Sequence, residues 1–145
     1  MPIPTAPASP IIPTASAGHA QLVATGDTVL LDLPDGSRAL ATVSGPSLDT
    51  PTAAGAAPAK QVTGQLTVTV VAQSGSVPVS ASVFTVRDEL GRSVPVIADR
   101  ASAIATAAAP AVLHLTGVFS AGDTNLTWSL SGHALATWDF QVELD

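Results

Sequence analysis

The C-terminal third of the chain alternates apolar and polar residues with a period of two, and this period constrains the fold more than any other feature. Leu113, Leu115 and Phe119 share one side of a run whose other side carries His114 and Thr116. Leu126, Trp128 and Leu130 alternate with Asn125, Thr127 and Ser129. Ala136, Trp138, Phe140, Val142 and Leu144 then alternate with Thr137, Asp139, Gln141 and Glu143. Successive side chains of a β-strand point to opposite faces, so each run reads as a strand with one buried face. A five-residue connection, Ser131 to Leu135, is expected to set Trp128 opposite Trp138 and Leu126 opposite Phe140, with both indoles on the buried face.

The same logic extends toward the N-terminus. Gly64 to Ala72 places Leu66, Val68 and Val70 on one face and Gln65, Thr67 and Thr69 on the other. Thr28 to Leu33 and Arg38 to Val43 flank Pro34-Asp35-Gly36-Ser37. Proline presets one dihedral and glycine accepts positive φ there, so the segment reads as a β-hairpin. Further strands are expected at Ser82 to Arg87 and Ser93 to Ile97, joined by an acidic hairpin at Asp88 to Gly91. Pro95 cannot donate to a ladder, which puts its strand at an edge or at a bulge. Ala101 to Ala111 contains seven alanines before and after Pro110. A loop with a short helix is expected there, because alanine favours helix but the run is too short to sustain one.

About eight short strands without βαβ alternation indicate an all-β fold, an immunoglobulin-like antiparallel β-sandwich, with a closed barrel as the alternative. Two segments fall outside the pattern. Residues 1–20 hold five prolines among small residues and are expected to form a disordered Ala/Pro-rich tail or stalk, leaving 21–145 as the sandwich domain. Asp49 to Lys60 is expected to be a long surface loop, interrupted by Pro51, Gly55 and Pro58.

Charge and composition narrow the chemistry. Only 11% of the 145 residues are charged, against roughly 25% in average soluble proteins, and the formal net charge is −6. Five basic residues (Arg38, Lys60, Arg87, Arg92 and Arg100) are too few and too scattered for a basic patch, so nucleic acid and anionic membrane surfaces are not expected partners. Cysteine is absent, which removes disulfides, thiolate nucleophiles and sulfur-ligated metals. No apolar run approaches the roughly 20 residues of a membrane-crossing helix. Met1 to Ala20 lacks the basic and continuous apolar regions of a signal peptide, so an export signal or anchor would have to lie elsewhere.

Catalysis needs convergent titratable groups, and they are scarce. His19 falls in the expected tail, His114 at a solvent-facing strand position and His133 at a hairpin turn. No close-set pair of metal ligands and no G-x-S-x-G elbow occurs. A hydrolase built on His133 and Asp139 is the weakest reading. Asp32 with Asp35, and Asp88 with Glu89, read as turn and hairpin residues. Asp123-Thr124-Asn125 resembles a fragment of a calcium loop and is expected to be a turn. The five aromatics, Phe84, Phe119, Trp128, Trp138 and Phe140, all fall in step with the apolar faces of their strands. They are therefore expected in the core rather than on a sugar-stacking platform. No catalytic residue, cofactor or metal site is assigned.

Several segments together resemble a known family. Gly26-Asp27-Thr28-Val29 opens the domain, and Val62 to Val70 (VTGQLTVTV) begins its middle. Gly75 to Asp88 (GSVPVSASVFTVRD), with Gly91 beyond, makes a small-residue turn, an aromatic strand and an acidic hairpin. Gly132 to Trp138 (GHALATW) supplies a turn and a terminal tryptophan strand. This is similar to the small secreted immunogenic antigen family of mycobacteria, and in part to telokin-like lipoprotein domains of Gram-positive bacteria. The likeness spans roughly residues 22–145. It implies an immunoglobulin-like sandwich, export to the cell surface or exterior, contact with envelope or host protein, and no enzymatic site. The Pro-rich leader and the Ala-rich stretches at 51–59 and 101–111 depart from the pattern, and the leader makes a tethered domain plausible. The functional expectation is an exported, non-catalytic interaction or structural module, with a carbohydrate- or small-lipid-binding module as the alternative.

Overall fold

Thirteen strands carry most of the described residues in the computed structural model, which describes residues 12–16, 18–48, 61–130 and 133–142. In chain order they are β1 (Thr14–Ser16), β2 (Gln21–Ala24), β3 (Thr28–Asp32), β4 (Arg38–Leu48), β5 (Gln61–Ser74), β6 (Val77–Ser80) and β7 (Phe84–Arg87). They continue with β8 (Ser93–Val94), β9 (Val96–Ala98), β10 (Ser102–Ala105), β11 (Ala111–Ser120), β12 (Gly122–Leu130) and β13 (His133–Val142). A 3-10 turn, Ala81–Val83, leads into β7. The strands form a six-stranded sheet (β1-β3-β4-β5-β11-β9), a five-stranded sheet (β2-β13-β12-β7-β8) and a small sheet of β10 and β6. The fold is all-β and sandwich-like, as the alternation requires.

The buried set follows the expected faces. Leu66, Val68 and Val70 from β5, Leu113 and Leu115 from β11, and Leu126 from β12 are all at most 1% exposed. Phe119 of one large sheet meets Phe140 of the other edge-to-face, with ring centroids 5.9 Å apart, which ties the two layers together. Gly64 and Gly117 lie directly opposite each other on β5 and β11, and the Phe119 ring covers both. Two facing glycines make the room that this ring occupies.

The β12–β13 hairpin keeps both indoles on one buried face, but its register is two residues from the expected one. Leu126, not Phe140's partner, faces Trp138, while Trp128 faces Ala136 and Thr124 faces Phe140. Leu130 pairs with His133, so the connection comprises residues 131–132, outside the described residues, rather than five. A bulge after Trp128 absorbs the difference, and Leu135 and Ala136 are buried consecutively beside it.

Other expectations are corrected by pairing between distant segments. Thr14–Ser16 lies within the expected tail, yet it pairs in parallel with β3 and its Ala15 is fully buried. A sheet edge supplies hydrogen bonds and apolar contact that the segment alone cannot. Residues 1–11 and 49–60, expected as tail and loop, lie outside the described residues. β2 likewise joins β13 in parallel, so each large sheet carries one parallel edge pair in an otherwise antiparallel architecture. Ser102–Ala105 is a strand paired with β6 instead of a helix. Four residues are too few to nucleate a helix, while β6 offers an open edge and Ala103 and Ala105 are small enough for the inner side. Asp123 to Asn125 belongs to β12, not to a turn. Pro95 behaves as expected: it separates β8 from β9, edge strands of the two large sheets, and the chain changes sheet across it.

Candidate functional site

An open cavity of about 430 Å³ lies at the end of the sandwich where β3 runs out. Its first wall is the β3–β4 turn, through Leu33, Pro34 and Asp35. That turn is rigid for local reasons. The Gly36 amide donates to the Leu33 carbonyl at 2.9 Å with Gly36 at φ 89°, and the Leu33 amide donates to the Ser37 carbonyl at 3.0 Å. The Asp35 carboxylate accepts from both the amide and the hydroxyl of Ser37, and these bonds hold its pKa below the ordinary value.

The second wall is the outer side of the small sheet. Alternation on β6 sends Val77 and Val79 inward and leaves Pro78 and Ser80 outward. Ser102 of β10 sits opposite Ser80, so two hydroxyl residues face each other on this side. The Ser80 hydroxyl bonds that of Ser82 at 2.8 Å and caps the 3-10 turn by accepting from the Ser82 amide. Val83 from this turn, with Trp128 and Leu130 at the end of β12, completes the floor. Trp128 is 3% exposed and packs edge-to-face on Phe84, with centroids 5.0 Å apart.

The lining is mainly apolar, with Asp35, Ser80 and Ser102 as its polar members. Among the described residues none of the lining is basic or a histidine. A cavity of this size and character matches the ordinary form of a small-molecule site, apolar walls with a few convergent polar groups. Among the described lining residues no base is paired with a nucleophile.

The residues singled out from the sequence are dispersed. His19 is exposed, and its backbone bridges Ser16. His114 lies on the outer face of β11, its Nδ1 3.2 Å from the Thr67 hydroxyl, while its amide donates to the Asp99 carboxylate at 3.0 Å. His133 begins β13, exposed. Asp139 lies six positions further along the same strand, roughly 20 Å away at the rise of an extended chain, so the two cannot act together. Asp139 instead neighbours Asp123, and its pKa is raised by burial first, then by the hydrogen bond and charge of Asp123. Asp32 is 3.7 Å from Arg38, and Asp88 closes the β7–β8 hairpin by accepting from the amides of Leu90 and Arg92 and from the Arg92 guanidinium. Among the described residues no group of three His, Asp or Glu side chains is placed to hold a metal. All five aromatics are buried.

In the sequence Pro34 and Asp35 carry the signature of turn formers and Trp128 that of a core residue. They converge because β3, β6 and β12 end at the same place, a relation carried by no local pattern.

The architecture is similar to that of MPT63, a secreted protein from Mycobacterium tuberculosis, known from a crystal structure at 1.5 Å resolution. The superposition has a TM-score of 0.61 and covers 86% of this chain and 100% of that one, at 16% sequence identity. The two chains share a fold. This is the likeness to the mycobacterial secreted antigen that the strand and turn segments carry. No family model matches the sequence, and no curated protein matches it.

Proposed function

We propose that this chain is an exported, non-catalytic binding module whose ligand site is the cavity between the β3–β4 turn, the small sheet and the end of β12. The observation that carries the reading is the cavity itself: about 430 Å³, walled by proline, valine, leucine and tryptophan, with Asp35, Ser80 and Ser102 as its polar groups. Such walls suit the apolar body of a small lipid or comparable molecule better than a sugar, because Trp128 is only 3% exposed and is not presented as a platform. Export is supported by the shared fold with a secreted protein. Among the described residues no helix is long and apolar enough to cross a membrane. Localisation of the full-length protein in fractionated cells tests the export; a purely cytosolic product defeats it. Titration with short-chain alcohols, followed at the Trp128 indole N–H signal, tests the cavity.

A second reading, contact with an envelope or host protein, is favoured by one surface. Ile97 on edge strand β9 is 78% exposed beside Val118, and with Pro95 and Thr63 these residues line a shallow groove of about 290 Å³. An edge strand with exposed apolar side chains is a ready place for another chain to pair. Ile97→Asp would then abolish partner capture while leaving the Trp128 signal unchanged.

A further inference from the structure

We infer that the cavity selects amphiphilic amines: ligands with an apolar body lying against Trp128, Val83 and Pro78 and an ammonium group meeting the carboxylate of Asp35. This rests on the cavity being the ligand site, and it adds the charge of the ligand.

Three observations on the molecule support it. Among the described residues the lip of the cavity carries one charged group, Asp35, and no basic side chain. Both hydrogen bonds to Asp35 come from Ser37 and land on Oδ1, which leaves Oδ2 able to accept from a ligand. Those bonds also fix the carboxylate as part of a rigid turn, so a ligand need not order it. The net charge of −6 adds a field that attracts cations and repels carboxylates.

The polar groups suit an ammonium in kind as well as in charge. An ammonium is a donor with no acceptor, and the polar lining offers acceptors: the Asp35 carboxylate and the hydroxyl oxygens of Ser80 and Ser102. A carboxylate or phosphate ligand would find no cationic partner among the described lining residues and would face Asp35. Asp35 lies in an exposed turn, so the charge contributes modest selectivity and the apolar walls supply most of the affinity.

The test compares three six-carbon probes, hexylammonium, 1-hexanol and hexanoate, by titration of the folded protein with the two indole N–H resonances as reporters. Hexylammonium is expected to shift the Trp128 signal, to leave that of Trp138 in place, and to bind about threefold to fivefold tighter than hexanol at low salt, the upper part of the range of an exposed ion pair. Hexanoate is expected to bind most weakly. Asp35→Asn, which keeps an acceptor for Ser37, is expected to bring hexylammonium to within about twofold of hexanol, and added salt to do the same. Equal binding of hexylammonium and hexanol by the unaltered protein, tighter binding of hexanoate, or a preference that survives Asp35→Asn overturns the amine assignment but leaves the cavity as a ligand site. Failure of all three probes to move the Trp128 signal overturns both.

Discussion

The indole Nε1 of Trp138 donates a hydrogen bond to the backbone carbonyl of Asp27 at 3.0 Å, across 111 residues of chain. Trp138 is fully buried in the five-stranded sheet, whereas Asp27 immediately precedes β3 of the six-stranded one. The bond therefore satisfies the one polar atom of a buried indole and joins the two layers near the β2–β3 connection. Trp138→Phe removes that donor and leaves a void. A loss of about 2–4 kcal/mol is expected from the cavity and the orphaned carbonyl together. Urea unfolding checks it, and a change below about 1 kcal/mol would show that the bond and the ring contribute little.

The glycine pair under Phe119 makes an ordered prediction. A Cβ on Gly117 would lie 2.9 Å from the backbone oxygen of Pro95 and 2.9 Å from Val96, so part of the obstacle is main chain. The atoms nearest a Cβ on Gly64 would be side-chain atoms, Leu48 at 2.8 Å and the Phe119 ring at 3.0 Å. Gly117→Ala is expected to cost about 1–3 kcal/mol and Gly64→Ala less, because side chains can move where the Pro95 carbonyl cannot. Chemical denaturation of the two variants decides the order, and the reverse order contradicts the geometry.

Acidification acts in two opposing senses. Burial and Asp123 raise the pKa of Asp139, so the folded chain holds this proton more tightly than the unfolded chain. Its contribution to stability grows as pH falls through the raised value toward the ordinary carboxylate value of 3.8, and at neutral pH the ionised group opposes folding. Asp35, Asp88 and Asp99 have lowered values, set first by hydrogen bonds from Ser37, Arg92 and His114 respectively. Their contribution is present above 3.8 and is lost as pH falls through the lowered values. Asp139→Asn is expected to raise the urea midpoint at pH 7 and to remove the gain on mild acidification. A lower midpoint at pH 7 would contradict the assignment.

Both tryptophans lie inside, Trp128 at 3% and Trp138 at 0% exposure. Their emission is expected to be blue-shifted from that of free tryptophan and little quenched by iodide. Strong quenching of either one would return the stacking-platform reading to consideration.

How far these features are legible in the sequence differs by scale. Alternation at Leu66 to Val70, at Leu113 to Phe119 and at Leu126 to Leu130 specifies strands and their buried faces, because a period of two is a local property of extended chain. The turn at Pro34 to Ser37 is local for the same reason. Scarce cations and missing cysteine bear on chemistry without any fold at all.

What only the tertiary structure decides is which segments meet. The alternation puts Trp128 and Trp138 on one face, but a shift of two residues preserves that face, so pattern alone cannot choose between Trp138 opposite Trp128 and Trp138 opposite Leu126. The pairing of Leu130 with His133 at the end of the hairpin, together with the bulge after Trp128, chooses. Thr14–Ser16 and Ser102–Ala105 carry too little pattern of their own to be read as strands, and become strands because β3 and β6 present free edges to them. The cavity is a further step removed. Asp35, Ser80 and Trp128 each have an ordinary local role, as turn former, turn cap and core, and they become a site only because three distant chain segments end at one place.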